Sequence, residues 1–392
     1  MFTIEHMLTI GHLTIRWTAD FFMAGAAFGC LYLLVAGALT LRFGRKGRDS
    51  KGGSPVPVTI LMPLCGQEPG LAERLKALCT QDYSAPVQVL CGVSDAADPA
   101  AVVVKQVAAE MTPTAIELHV DPRLHGRNLK ISNLMNMVER ARHDVFIMID
   151  SDIEIASDYL SRVVGELQKP EVGAVTCLYH GVAQGGIWAQ FAAMGINLQF
   201  LPSALVALRF NLARPCFGAS IAIRRDTLRE IGGLGRFADR LWDDYAIGEA
   251  VRAAGYRVAV PELTVGHVCS DRSARELIAR KLRYARTIGA IEPLGHAGAV
   301  VMHPFALALL ALPFGGGDAA VALAGTALII RAFLSWCTEQ HFGASAHSYW
   351  LLPLRDLMAF AIYVASFFGG TVVWRGQRYR IQPDGTLLQT TR

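Results

Sequence analysis

Residues 21–41 contain no charged side chain, and an uncharged run of that length strongly limits how it can fold. At 1.5 Å per residue it makes about 31 Å of helix, enough to cross the hydrocarbon core of a bilayer, where a helix satisfies its own backbone. A cleaved leader would have a shorter apolar core with basic residues ahead of it, whereas here Arg42, Arg45, Lys46, Arg48 and Lys51 follow the run. The positive-inside rule then places the amino end outside and residue 42 onward in the cytoplasm. Residues 47–57, rich in Gly, Ser and Pro, read as a linker.

Apolar sequence returns at 293–317, at 319–338 with Arg331 as its one charge, and at 357–374. Two or three of these blocks are expected to enter the membrane. Three crossings would leave Arg375, Arg378 and Arg380 outside, while two crossings plus an interfacial or re-entrant piece would keep them inside. The chain thus divides into an anchor at 1–46, a cytoplasmic domain at 55–290, and a membrane region with a short polar tail at 291–392. A hydrophobic content of 52% against 18% charged residues agrees with that division. Eight cysteines, without a CxxC pair or zinc spacing, read as free thiols of a reducing compartment. The +4 net charge is no signature of a nucleic-acid partner, and none is expected.

Between the apolar ends, short β-branched runs alternate with helical stretches. Strands are expected near 58–62, 87–93, 115–120, 144–150, 172–178 and 216–224, with helices at about 243–254 and 273–287. Nearly continuous hydrophobic strands imply a mostly parallel sheet covered on both faces, an α/β domain. Ligands of such a sheet gather beyond the carboxyl ends of its strands. Two strands end there in acids: VQVLCGV runs into Ser94-Asp95, and DVFIMI into Asp150-Ser151-Asp152. An Asp-x-Asp is common in turns and caps, but at a strand end it aims two carboxylates at one hard cation, Mg²⁺ or Mn²⁺, able to bridge a diphosphate.

Trp242-Asp243-Asp244-Tyr245 opens a helical pattern, so its acids suit either the helix dipole or a general base. In Arg280-Lys281-Leu282-Arg283-Tyr284 the spacing puts Arg280, Arg283 and Tyr284 on one helix face, fit for a diphosphate or for solvent and lipid headgroups. Lys130, in the first turn of a helix before the Asp-x-Asp strand, could reach a phosphate or stay solvated. His267 reads as a structural histidine at a strand end. No P-loop and no GxGxxG opens the first strand, which argues against kinases and dehydrogenases.

Taken in order, Asp95, Asp150-Ser151-Asp152, Asp244 and RxxRY at 280–284 resemble the D, DxD, D, (Q/R)xxRW series of family 2 and 21 glycosyltransferases. MPLCGQEPGL, DSDIEIASDYL, DDYAIGEAV and WRGQRYRI look like ceramide glucosyltransferases, and HGRNLKISNLMNM with LYHGVAQGG looks closer still to the bacterial hopanoid-associated members. The resemblance implies a GT-A, Rossmann-like nucleotide-sugar fold, a UDP-sugar donor, a divalent cation and inversion at the anomeric carbon. It implies an inner-membrane enzyme that moves glucose or N-acetylglucosamine onto a membrane lipid hydroxyl. By position, Asp95 would meet the nucleotide, Asp150 and Asp152 the ribose, diphosphate and metal, and Asp244 would be the base. Arg280, Arg283 and Tyr284 would line the diphosphate and the acceptor entrance. Tyr284 stands where the family usually has Trp.

One stretch remains. Residues 172–208 carry no Asp, Glu, Lys or Arg and lie between the Asp-x-Asp strand and the proposed base. Long uncharged runs are usually core. The glycines and Pro202 within this one instead suggest an element at 187–208 lying in the membrane interface, with Trp188 and Phe191 at headgroup depth as an acceptor doorway.

Overall fold

The hydrophobic strands of the central region assemble as their pattern predicts, in a computed structural model that describes residues 4–44, 54–111, 115–343, 348–374, 377–381 and 387–389. Arg45, Lys46, Arg48, Lys51, Arg375 and most of the 47–57 linker lie outside the described residues. Strands β1 (Val58–Pro63), β2 (Val87–Val93), β3 (Ala115–Val120) and β4 (Val145–Ile149) run parallel in the order β3-β2-β1-β4. Alternate residues fill two cores. Ile60, Val89 and Ile147 face one, while Leu61, Leu90 and Phe146 face the other. Coverage on both faces is why these strands read as continuous apolar runs rather than alternating ones.

Beyond β4 come β5 (Ile153–Glu154), β6 (Val172–Thr176), β7 (Leu178–Ala183), β8 (Ser220–Arg224), β9 (Arg257–Ala259) and β10 (Thr264–Cys269). The main sheet has the order β3-β2-β1-β4-β8-β6-β9 and is mixed, because β8 runs antiparallel to both β4 and β6. A second sheet, β5-β10-β7, stands beside its carboxyl edge, with β10 parallel to β7 and antiparallel to β5.

The amino-terminal helix spans Ile4–Arg42, of which Arg16–Arg42 is apolar enough to cross a membrane. So are Gly317–Phe342 and Ile187–Arg209, and a pair at Pro293–Met302 and Pro304–Phe314, bent by 72°, makes a possible fourth span. The bend falls at Pro304, whose missing N–H and fixed φ break a helix. The 357–374 block divides: a helix covers Leu352–Ser366, then β11 (Thr371–Trp374), β12 (Gln377–Ile381) and β13 (Leu387–Gln389) form a small antiparallel sheet. Arg286 ties this tail to the Ala274–Ile291 helix by donating to the carbonyls of Thr371 at 2.5 Å and Phe368 at 2.7 Å.

The Ile187–Arg209 helix is largely enclosed. Phe191 is only 2% exposed, in one apolar cluster with Leu33 and Leu334 of the flanking membrane helices. Its expected place at headgroup depth is therefore corrected, since the side chain packs between helices. Trp188, one turn back and half-buried, lies 5.8 Å from the Phe191 ring.

Gly25 and Gly29 form a GxxxG seam on the amino-terminal helix. A Cβ on Gly29 would lie 2.4 Å from the Val301 carbonyl oxygen and 3.0 Å from Pro304, and one on Gly25 would lie 3.3 Å from Leu307. Small residues at this spacing let membrane helices approach closely. Gly29→Val should therefore destabilise the protein by about 1–3 kcal/mol through overpacking, read as a lowered melting temperature in detergent. Gly325→Ala, where an added methyl meets nothing within 4 Å, should leave melting unchanged or raise it slightly.

Candidate active site

The two carboxylates of the Asp-x-Asp leave β4 in different directions. The chain turns at once from β4 into β5, closed by the Ile153 amide donating to the Asp150 carbonyl at 3.2 Å. Asp150 meets the Lys130 ammonium at 2.6 Å, whereas Asp152 lies 3.5 Å from Nε2 of His267 on β10. Between them Ser151 is clamped: its hydroxyl donates to Glu68 at 2.6 Å, and Nε of Arg74 donates to its carbonyl at 2.6 Å. The other Asp152 oxygen, Oδ1, is buried with no hydrogen-bond partner.

Lys130 reaches this point because its helix starts there. Asn128 caps the Leu129–Val138 helix by accepting from the Ile131 amide at 3.2 Å, a contact worth about 1 kcal/mol, and donates to Asp243 at 3.2 Å. In the first turn, Lys130 also donates to the Gly218 carbonyl at 3.3 Å. Gly218 in turn lies against Asp244, where a Cβ would stand 3.0 Å from the carboxylate oxygen. Any larger residue there would press Asp244 out of place, at the head of the Asp243–Ala253 helix.

One cation serves several acids here. Burial, and then the neighbouring Asp243, raise the Asp244 carboxyl to about 6, against the Tyr245 amide, which donates to it at 2.8 Å, and then against Lys130. Burial also raises Asp150, and Lys130 opposes the rise. Burial works against the charge of Lys130 itself, yet Asp150, Asp243 and Asp244 together hold it firmly protonated. At His267 burial likewise disfavours the cation, but the Asp152 carboxylate prevails and lifts it to about 9.

The structure thus brings together Asp150, Asp152, Asp244 and Lys130. Asp95 follows β2 at the same end of the sheet and accepts from the Ala97 amide at 2.9 Å in an exposed turn. Arg280 pairs with the buried Asp271 and is electrostatically felt at His267, on the Asp152 side. Arg283 lies over the ring of Tyr284, 5.1 Å from its centre, and Tyr284 is 45% exposed. Glu68, Arg74, Gly218 and Asp271 gave no signal in sequence, and His267 gave a misleading one. Its neighbours TVGHVC mark a strand, but only the pairing of His267 with Ile153 across β10 and β5 shows that it faces Asp152.

Among the described residues no three His, Cys, Asp or Glu side chains are grouped to hold an ion alone. Asp152, with its orphaned oxygen, and His267 offer two ligands, which fits a cation whose other positions come from a diphosphate.

A model of the family described as Glycosyl transferase family 21 matches residues 22–387, nearly the whole chain. The protein belongs to that family. It is 27% identical to ceramide glucosyltransferase 3 of Caenorhabditis elegans over 68% of this chain, though the match spans only 59% of that relative. It is 23% identical to the ceramide glucosyltransferase of Pyricularia oryzae, over 84% of this chain and 85% of the relative. An N-acetylglucosaminyltransferase of Rhizobium leguminosarum bv. viciae is 24% identical over 60% of this chain and 56% of its own length. The fold is similar to that of the mannosyltransferase PcManGT from Pyrobaculum calidifontis, solved with GDP-Man and Mn2+, at a TM-score of 0.50 and 19% identity over 90% of this chain and 99% of that one. The GT-A expectation is borne out.

Were Asp244 to remove the acceptor's proton, its carboxyl, raised to about 6, would do so only above that pH, and transfer should then fall as pH drops through about 6 rather than near 4. Lys130→Met removes the charge that favours both carboxylates. In a pH–rate profile its acid limb should lie higher than the parent's.

Proposed function

We propose that this protein transfers one sugar, glucose or N-acetylglucosamine, from a UDP-sugar to the hydroxyl of a membrane lipid, with inversion, at the cytoplasmic face of the inner membrane. The observation that carries the proposal is one of placement. Asp150, Asp152, Lys130 and Asp244 converge at the carboxyl edge of the sheet, and the chain between the Asp-x-Asp strand and Asp244 passes through the apolar Ile187–Arg209 helix. The apolar helix packs against β10, the strand that carries His267, which supports an acceptor drawn from the membrane.

In this reading Asp95 and Asp150 contact the nucleotide, and Arg280, Arg283 and Tyr284 line the diphosphate and acceptor entrance. Asp152 and His267 would hold a divalent cation, Mg²⁺ or Mn²⁺, which when bound neutralises the charge of the departing diphosphate. His267 must shed its proton to serve as a ligand, because only the neutral imidazole has a free lone pair. Asp244 takes the proton of the lipid hydroxyl as its oxygen bonds to the anomeric carbon from the face opposite UDP. The bond from that carbon to the diphosphate oxygen breaks in the same step, and UDP carries away the electron pair. Lys130, fixed by Asp150 and the Gly218 carbonyl, holds Asp244 as a carboxylate near neutral pH.

The test is to incubate membranes with each UDP-sugar and identify the glycolipid by mass spectrometry. No new glycolipid from any UDP-sugar would refute the proposal. Two variants separate the roles. Asp152→Ala should weaken UDP-sugar binding in Mn²⁺ at least ten-fold, the scale of losing a metal ligand, whereas Asp244→Asn should bind donor nearly normally and lose transfer by 100-fold or more. Normal turnover in Asp244→Asn would remove it as the base.

A further inference from the structure

Three charged side chains are buried among the apolar helices: Arg331 at 1% exposure, Arg355 at 2% and Asp356 at 1%. Ionisable groups at such depth are costly and persist where they are paired and serve a purpose. Here two of the three groups that Arg331 bonds, the Leu198 and Met302 carbonyls, lie where a helix is broken. Its Nη1 donates to the Leu198 carbonyl at 2.8 Å, its Nη2 to the Met302 carbonyl at 2.7 Å, and its Nε to Asp356 at 3.0 Å. Asp356 also accepts from Arg355 at 2.8 Å, and Arg355 donates to the Gln199 side chain at 2.9 Å.

The bond to Leu198 has a reason in the sequence. The amide that would close an α-helical bond to that carbonyl belongs to residue 202, a proline, which has no N–H. The helix answers with a π turn at Ile196–Phe200, and the guanidinium gives the Leu198 carbonyl a donor. Met302 is the last residue before the bend at His303-Pro304. One arginine therefore joins two proline-broken helices.

The same π turn grips the catalytic side. Asn197 accepts from the Gly181 amide at 2.7 Å and donates to the Gly181 carbonyl at 2.9 Å. A Cβ on Gly181 would stand 2.7 Å from the backbone of Ala193, so helix and strand touch there. Phe200 stacks on Tyr179 at 4.2 Å, and Tyr179 lies 5.4 Å from the His267 ring. In the β7–β10 register, Gly181 is the partner of His267 itself.

We infer that Arg331, Arg355 and Asp356 are positioning residues: they lock the π turn, and through Asn197 and Phe200 the turn sets His267 opposite Asp152. The membrane helices thereby hold the diphosphate end of the site in shape. This rests on the donor reading above.

The experiment measures UDP binding in the presence of Mn²⁺ by calorimetry on the full-length protein in detergent. Single substitutions would strand a buried charge, so the informative variant is Arg331→Met with Arg355→Leu and Asp356→Leu, which removes all three charges together and commonly leaves a fold as stable or more so. UDP affinity should fall about ten-fold with melting temperature preserved, the low end of what losing a ligand's supporting groups costs. A folded triple variant that binds UDP like the parent overturns the inference. Should the triple variant not fold, Asn197→Leu cuts the link to Gly181 without touching a charge; it should show the same loss, and parent-like affinity there overturns the inference equally. A parent that binds no UDP with Mn²⁺ overturns the donor reading and this inference with it, whereas a binding parent with an equal variant overturns this inference alone.

Discussion

A single ammonium group among three carboxylates is the condition on which this site depends. Asp150, Asp243 and Asp244 arrive from a strand end and a helix start far apart in sequence, and like charges so close would push one another toward protonation or apart. Lys130 counters both, by a direct pair with Asp150 and by its field at the other two. Its own position depends on Asn128, which caps the helix and touches Asp243. The end of the sheet, the cap and the proposed base are consequently one electrostatic unit.

Much of the fold was readable because its period signals are strong. The parallel strands β1 to β4 begin and end within a residue of expectation, since β1, β2 and β4 are largely apolar on both faces, β3 alternates at the sheet edge, and turn residues bound them. The elements missed are those whose pattern is set by tertiary partners. β7 was merged with the end of β6, and β5 is too short to carry any period. In the site, the acids announced themselves by following strands. Glu68 and Arg74 did not, because their role is to clamp Ser151 across the fold, and nothing local records that.

The uncharged 172–208 stretch shows why composition alone misleads. Its apolar composition suits a side chain in lipid and one between helices equally well. Phe191 turned inward because its segment packs against β7, β10 and the helices Ala274–Ile291 and Leu352–Ser366, information that no window of sequence holds. The proline at 202, by contrast, was present all along as a local sign of the π turn.

The reversed direction of β8 has a consequence of its own. Because β8 alone in the main sheet runs against its neighbours, the chain that leaves β6 and returns through β8 departs from and re-enters the same edge of the sheet. Everything between, including β7 and the apolar helix, is an excursion whose two ends are anchored side by side. Such a segment can lengthen, shorten or be exchanged over evolutionary time while strand order and the acids stay as they are. Relatives on this scaffold could in that way acquire new acceptors by exchanging the outer part of one cassette, provided that the contacts of Gly218 with Lys130 and of Asn197 and Tyr179 with the donor end are kept.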